Sequence, residues 1–108
     1  RNLFGAGFIG SPRMNFIDGP GAAKYNAARV GVRPEHIAIS TTAGEWKGTV
    51  GVAEHLGSDT FLHIHTDEHG AITVRADGEA ALRHGDTVYL TPDTKRLHRF
   101  DSNGLALQ

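Results

Sequence analysis

From Arg29 onward the chain runs in a period of two, cut at short intervals by glycine or proline. In a β-strand successive side chains point to opposite faces, so this alternation predicts half-buried strands and leaves little room for long helices. "RVGVRPEHIAIS" alternates around Val30, Val32, Ile37 and Ile39, and Pro34 interrupts it. Proline is tolerated only at an edge, bulge or turn of a sheet. "EWKGTVGVAEHLG" alternates from Trp46 through Val50 and Val52, and "LGSDT" supplies turn residues. "FLHIHTD" sets Leu62 and Ile64 on one face and Phe61, His63 and His65 on the other. "DEHG" reads as a hairpin turn ending in glycine, and "AITVRA" as a strand with Ile72 and Val74 inward. "EAALRHGD" reads as one helical turn stopped by Gly85. "TVYLTPD" and "RLHRFD" complete the set before "SNG" turns into the tail. The 14 glycines and 4 prolines fit such frequent turns. The pattern predicts an all-β fold of about five or six short strands. An OB-like, partly open Greek-key barrel suits that strand length and turn density better than a sandwich.

The first residues differ. Leu3, Phe4, Phe8 and Ile9 fit one helical face, weakened by Gly5, Gly7 and Gly10 and ended by Pro12. Such a helix needs packing to persist. "MNFIDG" reads as a short extended piece, and residues 19–28, "GPGAAKYNAA", carry no period and read as a mobile loop. Helix is expected only here and near Leu82. At 108 residues the chain is one domain. It begins at Arg1 rather than Met, which fits a processed, excised or partial chain.

Composition excludes several classes of function. The net charge of −1 provides no basic field for nucleic acid or anionic lipid. With no cysteine there is no disulfide, thiol nucleophile or Cys-ligated zinc. No apolar run approaches the roughly 20 residues that span a bilayer.

The residues that could carry chemistry are few. Gly5, Gly7 and Gly10 match G-x-G-x-x-G in letters, but the dinucleotide reading needs a strand before and a helix after, and here the match sits inside a helical run. His63 and His65 share a strand face and could bind a metal with Glu54 or His55, whereas structural zinc sites want three or four protein ligands, so an outward polar face is favoured and no metal is assigned. Asp59 could act as an acid, but Asp and Ser at such a place more often fix a turn. The adjacent Glu35 and His36 rarely face each other. Trp46, Phe61 and Tyr89 could stack on bases, but without a positive groove they read equally well as core or rim. No P-loop and no G-x-S-x-G elbow is present.

Several segments, in order, resemble one family. "NLFGAGFIGSPRMNF" is similar to N-x-F-V-A-x-F-I-G-x-P-x-M-N. "VGVRPEHI" is similar to G-[IV]-R-P-E-H, "VAEHLGSDTFLHI" to V-E-x-L-G-S-[DE]-T, and "LRHGDTVYLTPDTKRLHRFDSNG" to an ending built on G-D-x-V-x-L and H-x-F-D. The chain thus resembles the C-terminal regulatory barrel, the TOBE domain, of ATP-binding subunits of bacterial ABC importers of the maltose/sn-glycerol-3-phosphate type. Two departures stand out. The ATPase domain with its Walker motifs is absent, and the stretch at 17–30 is shorter than the family's.

The resemblance implies a division of labour. Residues 1–14, with Phe4, Phe8 and Ile9, would form a helical connection to the ATPase domain, and residues 15–108 the regulatory barrel. The domain itself would be non-catalytic and hold no cofactor, with ATP and Mg confined to the ATPase domain. Partners would be a second copy of the subunit, the ATPase domain, the membrane permease subunits and a regulatory protein, on the cytoplasmic side of the membrane. Arg33, Pro34, Glu35 and His36, and the turn of Gly57, Ser58 and Asp59, are the candidate contacts. The rival expectation is a free-standing binder of a small oxyanion such as molybdate, using Ser58, Thr60 and Lys47.

Overall fold

The computed structural model describes residues 13–76 and 82–107. The expected N-terminal helix, with Phe4, Phe8, Ile9 and the Gly5, Gly7 and Gly10 cluster, lies outside them. Alternation does produce strands. They are β1 (Asn15–Asp18), β2 (Arg29–Val32), β3 (Ile37–Ser40), β4 (Trp46–Leu56), β5 (Asp59–Thr66), β6 (Gly70–Arg75), β7 (Thr87–Pro92) and β8 (His98–Phe100). All pairings are antiparallel, in a three-stranded sheet ordered β1-β2-β8 and a five-stranded sheet ordered β3-β7-β4-β5-β6. The fold is therefore all-β, as expected, with eight described strands rather than five or six. The excess comes from β1, whose four residues are too short to show a period, and from the break at Pro34, which divides "RVGVRPEHIAIS" into β2 and β3.

The five-stranded sheet curls on itself. Its two edge strands, β3 and β6, come into contact, and β6 also meets the 3-10 turn Pro34–His36. This near-closure is how small barrels cover sheet edges. A bulge in β4 assists it: Val50 pairs with Ile64 but Ala53 pairs with Leu62, so β4 carries one extra residue there. Inward side chains from both sheets make one core. Ile17, Val30 and Val32 come from the small sheet, and Trp46, Val50, Leu62, Ile64, Ile72, Val74, Val88 and Leu90 from the large one. Phe61 points to the opposite face of β5, as expected, and is nevertheless buried.

Two expectations are corrected. The segment 19–28 is not a featureless loop: Pro20–Ala23 forms a short helix, α1, with proline at its start, and Ala22 is fully buried. Ala22 and Ala23 both donate to the Gly19 carbonyl, and turns continue through Asn26. Four residues complete one helical turn, so no periodicity could announce it. The helical turn expected around Leu82 is also not found in its described part. Residues 82–86 form a tight turn, in which Asp86 N donates to Arg83 O and Arg83 N donates to Asp86 Oδ2. Residues 79–81 of that expectation lie outside the described part.

Asn15 joins the two sheets. Its side chain is buried, and its Nδ2 donates to Thr73 O at 2.8 Å and to Val32 O at 3.3 Å, while its Oδ1 accepts from Thr73 N at 2.9 Å. The amide thus satisfies both main-chain groups of Thr73 on the edge strand β6, as a neighbouring strand would. A second tie runs from α1. The Tyr25 hydroxyl donates to the Glu45 carboxylate at 2.7 and 2.8 Å, and Lys24 Nζ lies 3.2 Å from the same group. Burial, and then the hydrogen bond to Glu45, push the Tyr25 phenol well above its ordinary range. A raised pKa means stability that is full below the ordinary phenol range and lost as pH rises through the higher value. In an ultraviolet titration, one of the two tyrosines is expected to resist ionisation until the protein unfolds. Tyr25→Phe should abolish that late step and cost about 1 kcal/mol.

Candidate contact surface

Pro34 organises the first expected contact group. The residue before a proline is held extended, and Arg33 has φ −77° and ψ 152°. Its side chain is exposed while Pro34 is buried. The 3-10 turn follows, closed by His36 N donating to Arg33 O at 2.9 Å. His36 O then accepts from Asp93 N at 2.9 Å, and Arg96 Nη1 donates to His36 Nε2 at 3.3 Å. Because a guanidinium only donates, Nε2 is the acceptor and the ring proton sits on Nδ1. Nδ1 is buried and has no hydrogen-bond partner among the described residues. The corner and the second 3-10 turn, Thr94–Arg96, border an open cleft of about 420 Å³ lined by Glu35, His36, Asp93 and Arg96 among others.

The second group is a hairpin tip. Leu56 pairs with Asp59, so Gly57 and Ser58 form a two-residue hairpin turn. Gly57 has φ 65°, a value glycine holds without strain and two-residue hairpins require. Gly57, Ser58 and Asp59 are all exposed, at a tip where β4 outruns its pairing with β7 beyond Thr49. No hydrogen bond or ion pair among the described residues links this tip to the Pro34 corner.

The other candidates separate. His63 Nε2 lies 3.0 Å from Glu54 Oε1, and its Nδ1 lies 3.2 Å from the Thr73 hydroxyl. The His55 ring is engaged with the Thr60 hydroxyl at 2.9 Å. Among the described residues no three of His, Asp and Glu converge as a metal site would need. The oxyanion set is dispersed as well: Thr60 pairs with His55, and Lys47 lies eight residues back along β4, roughly 25 Å at the rise of a strand. Trp46 and Phe61 are 3% and 2% exposed, so neither offers a face for stacking.

Sequence reasoning missed a cleft of about 580 Å³ on the outer side of the three-stranded sheet. Phe16, half exposed, and Phe100 wall it, with ring centroids 6.2 Å apart. Arg29 crosses its floor. Its Nε donates to Asp18 Oδ1 at 2.7 Å and its Nη2 to Asp18 Oδ2 at 3.3 Å, and its guanidinium lies 5.5 Å from the Phe16 ring centre. The loop 101–104 forms the rim. Asp101 Oδ1 accepts from Asn103 N and Leu105 N at 2.8 and 2.9 Å, which ties the loop. No single segment could reveal this cleft, because its walls are some 84 positions apart in the chain (100 − 16).

The Arg29 hydrogen bond holds the Asp18 carboxyl below its ordinary range. A depressed pKa means stability that is full above the ordinary carboxylate range and lost as pH falls through the lower value. Denaturant unfolding of wild type and Asp18→Asn should therefore differ at about pH 7 and converge as pH drops below about 4. A gap that stays constant over that range would contradict this role for the pair.

Comparison with known proteins places these features. The family model of the TOBE domain matches residues 30–100, which runs from β2 to β8. The chain is 37% identical, over 95% of its length, to the alpha-glucoside transport ATP-binding protein AglK of Rhizobium meliloti. It is 32% identical, over 98% of its length, to the maltose/maltodextrin import ATP-binding protein MalK of Photobacterium profundum. It is 34% identical, over 92%, to the sn-glycerol-3-phosphate import ATP-binding protein UgpC of Cereibacter sphaeroides. The chain spans about a third of these relatives, 36%, 36% and 33% of their lengths. The alignment with AglK covers 131 residues against the 108 of this chain, so the relative carries residues that the chain lacks between matched segments. With its two antiparallel sheets and a match through most of its strands, the chain belongs to the TOBE domain family.

Proposed function

We propose that this chain is the non-catalytic contact domain of the ATP-binding subunit of a bacterial importer for sugars or glycerol 3-phosphate. The observation that carries this reading is the match of nearly the whole chain to about a third of proteins named as transport or import ATP-binding proteins. ATP and Mg act in the ATPase domain of such a subunit, and residues 1–14 are the connection to it. Residues 15–108 are the barrel, which meets a second copy of the subunit and a regulatory protein. The ATPase domain in turn engages the membrane permease subunits at the cytoplasmic face. No helix among the described residues is long and apolar enough to cross a membrane.

A barrel with this role acts by being touched. It biases the transport cycle by binding its partners with different affinity in the open and closed arrangements of the subunits. That task suits exposed turns, and Arg33 at the Pro34 corner and the Gly57–Ser58 tip are exposed. The oxyanion reading is disfavoured because Lys47 lies eight residues along β4 from His55, the pairing partner of Thr60, so the proposed ligands do not converge.

Domain exchange tests the proposal. The segment of AglK that matches this chain is replaced by this chain, and alpha-glucoside uptake is measured in cells lacking the native subunit. Uptake well above that of AglK truncated before the segment is expected. A hybrid that hydrolyses ATP normally yet transports no better than the truncation would contradict it. Saturable heat on titrating the chain with molybdate would favour the oxyanion reading instead.

A further inference from the structure

The cleft beside the three-stranded sheet is lined by two aromatic rings and two carboxylates but by only one guanidinium. The Asp18 carboxylate holds the Arg29 guanidinium through two N–H groups, and that guanidinium lies over the Phe16 ring, 5.5 Å from its centre. Phe100 and Asp101, consecutive in the chain, line the same cleft. Asp101 spends Oδ1 on two loop N–H groups, while its Oδ2 accepts from none of the described residues. The Phe100 ring touches Phe16 and carries no cation among the described residues. Two carboxylates against one guanidinium leave the lining with a charge of −1. Aromatic faces attract cations, and a planar guanidinium, weakly hydrated, suits a ring and a carboxylate together better than an ammonium does.

We propose that this cleft docks an arginine side chain of a partner polypeptide, its guanidinium set over the Phe100 ring and against the Asp101 carboxylate. The half-exposed Phe16 and the exposed Leu105 give the partner's neighbouring residues apolar surface to cover. The assignment stands on the cleft alone, so its failure would leave the importer-subunit reading untouched, and the reverse also holds.

The test is an amide NMR titration of the intact chain with N-acetyl-arginine methylamide, with N-acetyl-glutamine methylamide as the uncharged control. Saturable shifts are expected at the amides of Asp101, Ser102 and Gly104 with the arginine probe only. Asp101→Asn keeps the Oδ1 acceptor that ties the loop but removes the charge, and should weaken the arginine probe about threefold. Phe100→Leu removes the ring and should weaken it by a similar factor, about threefold. It also serves as the second variant should Asp101→Asn disturb the loop. No saturable shift in this loop, an equal response to the glutamine probe, or unchanged affinity in the folded variants would overturn the proposal.

Discussion

Trp46→Ala is expected to destabilise the protein by about 4 kcal/mol, the usual cost of removing a large core aromatic. Trp46 opens β4, is only 3% exposed, and meets the His69 ring edge-on at 5.5 Å. It belongs to the core cluster that draws on both sheets, and it pairs with the fully buried Leu90 across β4 and β7. At 4 kcal/mol the melting temperature should fall by roughly 20 °C. The measurement is denaturant unfolding followed by far-ultraviolet circular dichroism, because the variant loses the single tryptophan. Trp46→Phe should recover more than half of the loss, since it refills part of the volume. A cost below about 1 kcal/mol for Trp46→Ala would mean that the residue is at the surface.

The second large effect is at Asn15. Asn15→Leu keeps an apolar volume but strips the partners from Thr73 N–H and Thr73 C=O, both on the edge strand β6. Leaving buried main-chain groups unpaired costs about 1–3 kcal/mol each, so a loss of about 3 kcal/mol is expected. The loss should be local before it is global. Hydrogen exchange at the Thr73 amide should speed up more than exchange at Ile64, on the interior strand β5 of the same sheet. Equal acceleration at both amides would show that Asn15 supports the core in general and has no specific hold on the edge of β6.

Legibility in the sequence followed the length of each repeating pattern. β4, β5, β6 and β7 were readable because each runs for six or more residues between turns. Pro34 was readable because a proline between two apolar pairs must sit at a break, and it does. α1 was not readable, since one turn of helix has no period. Asn15 looked like any residue of a short extended piece, because its partner Thr73 is 58 positions away. Phe61 shows the limit of alternation itself: its face was right, but a face that points away from the core need not be bare.

The candidate contacts divide along the same line. The Pro34 corner and the Gly57–Ser58 turn could be singled out because proline and glycine betray local geometry. The Phe16–Phe100 cleft could not, because it depends on β2 pairing with both β1 and β8, a fact of topology rather than of local sequence.

ATP hydrolysis, assayed side by side on this chain alone and on the polypeptide encoded by the whole open reading frame that contains it, bears most directly on the role assigned to the barrel. Turnover is expected from the longer polypeptide and none from the chain alone. Hydrolysis by the chain alone, or a longer polypeptide that folds but neither binds nor hydrolyses ATP, would contradict that role.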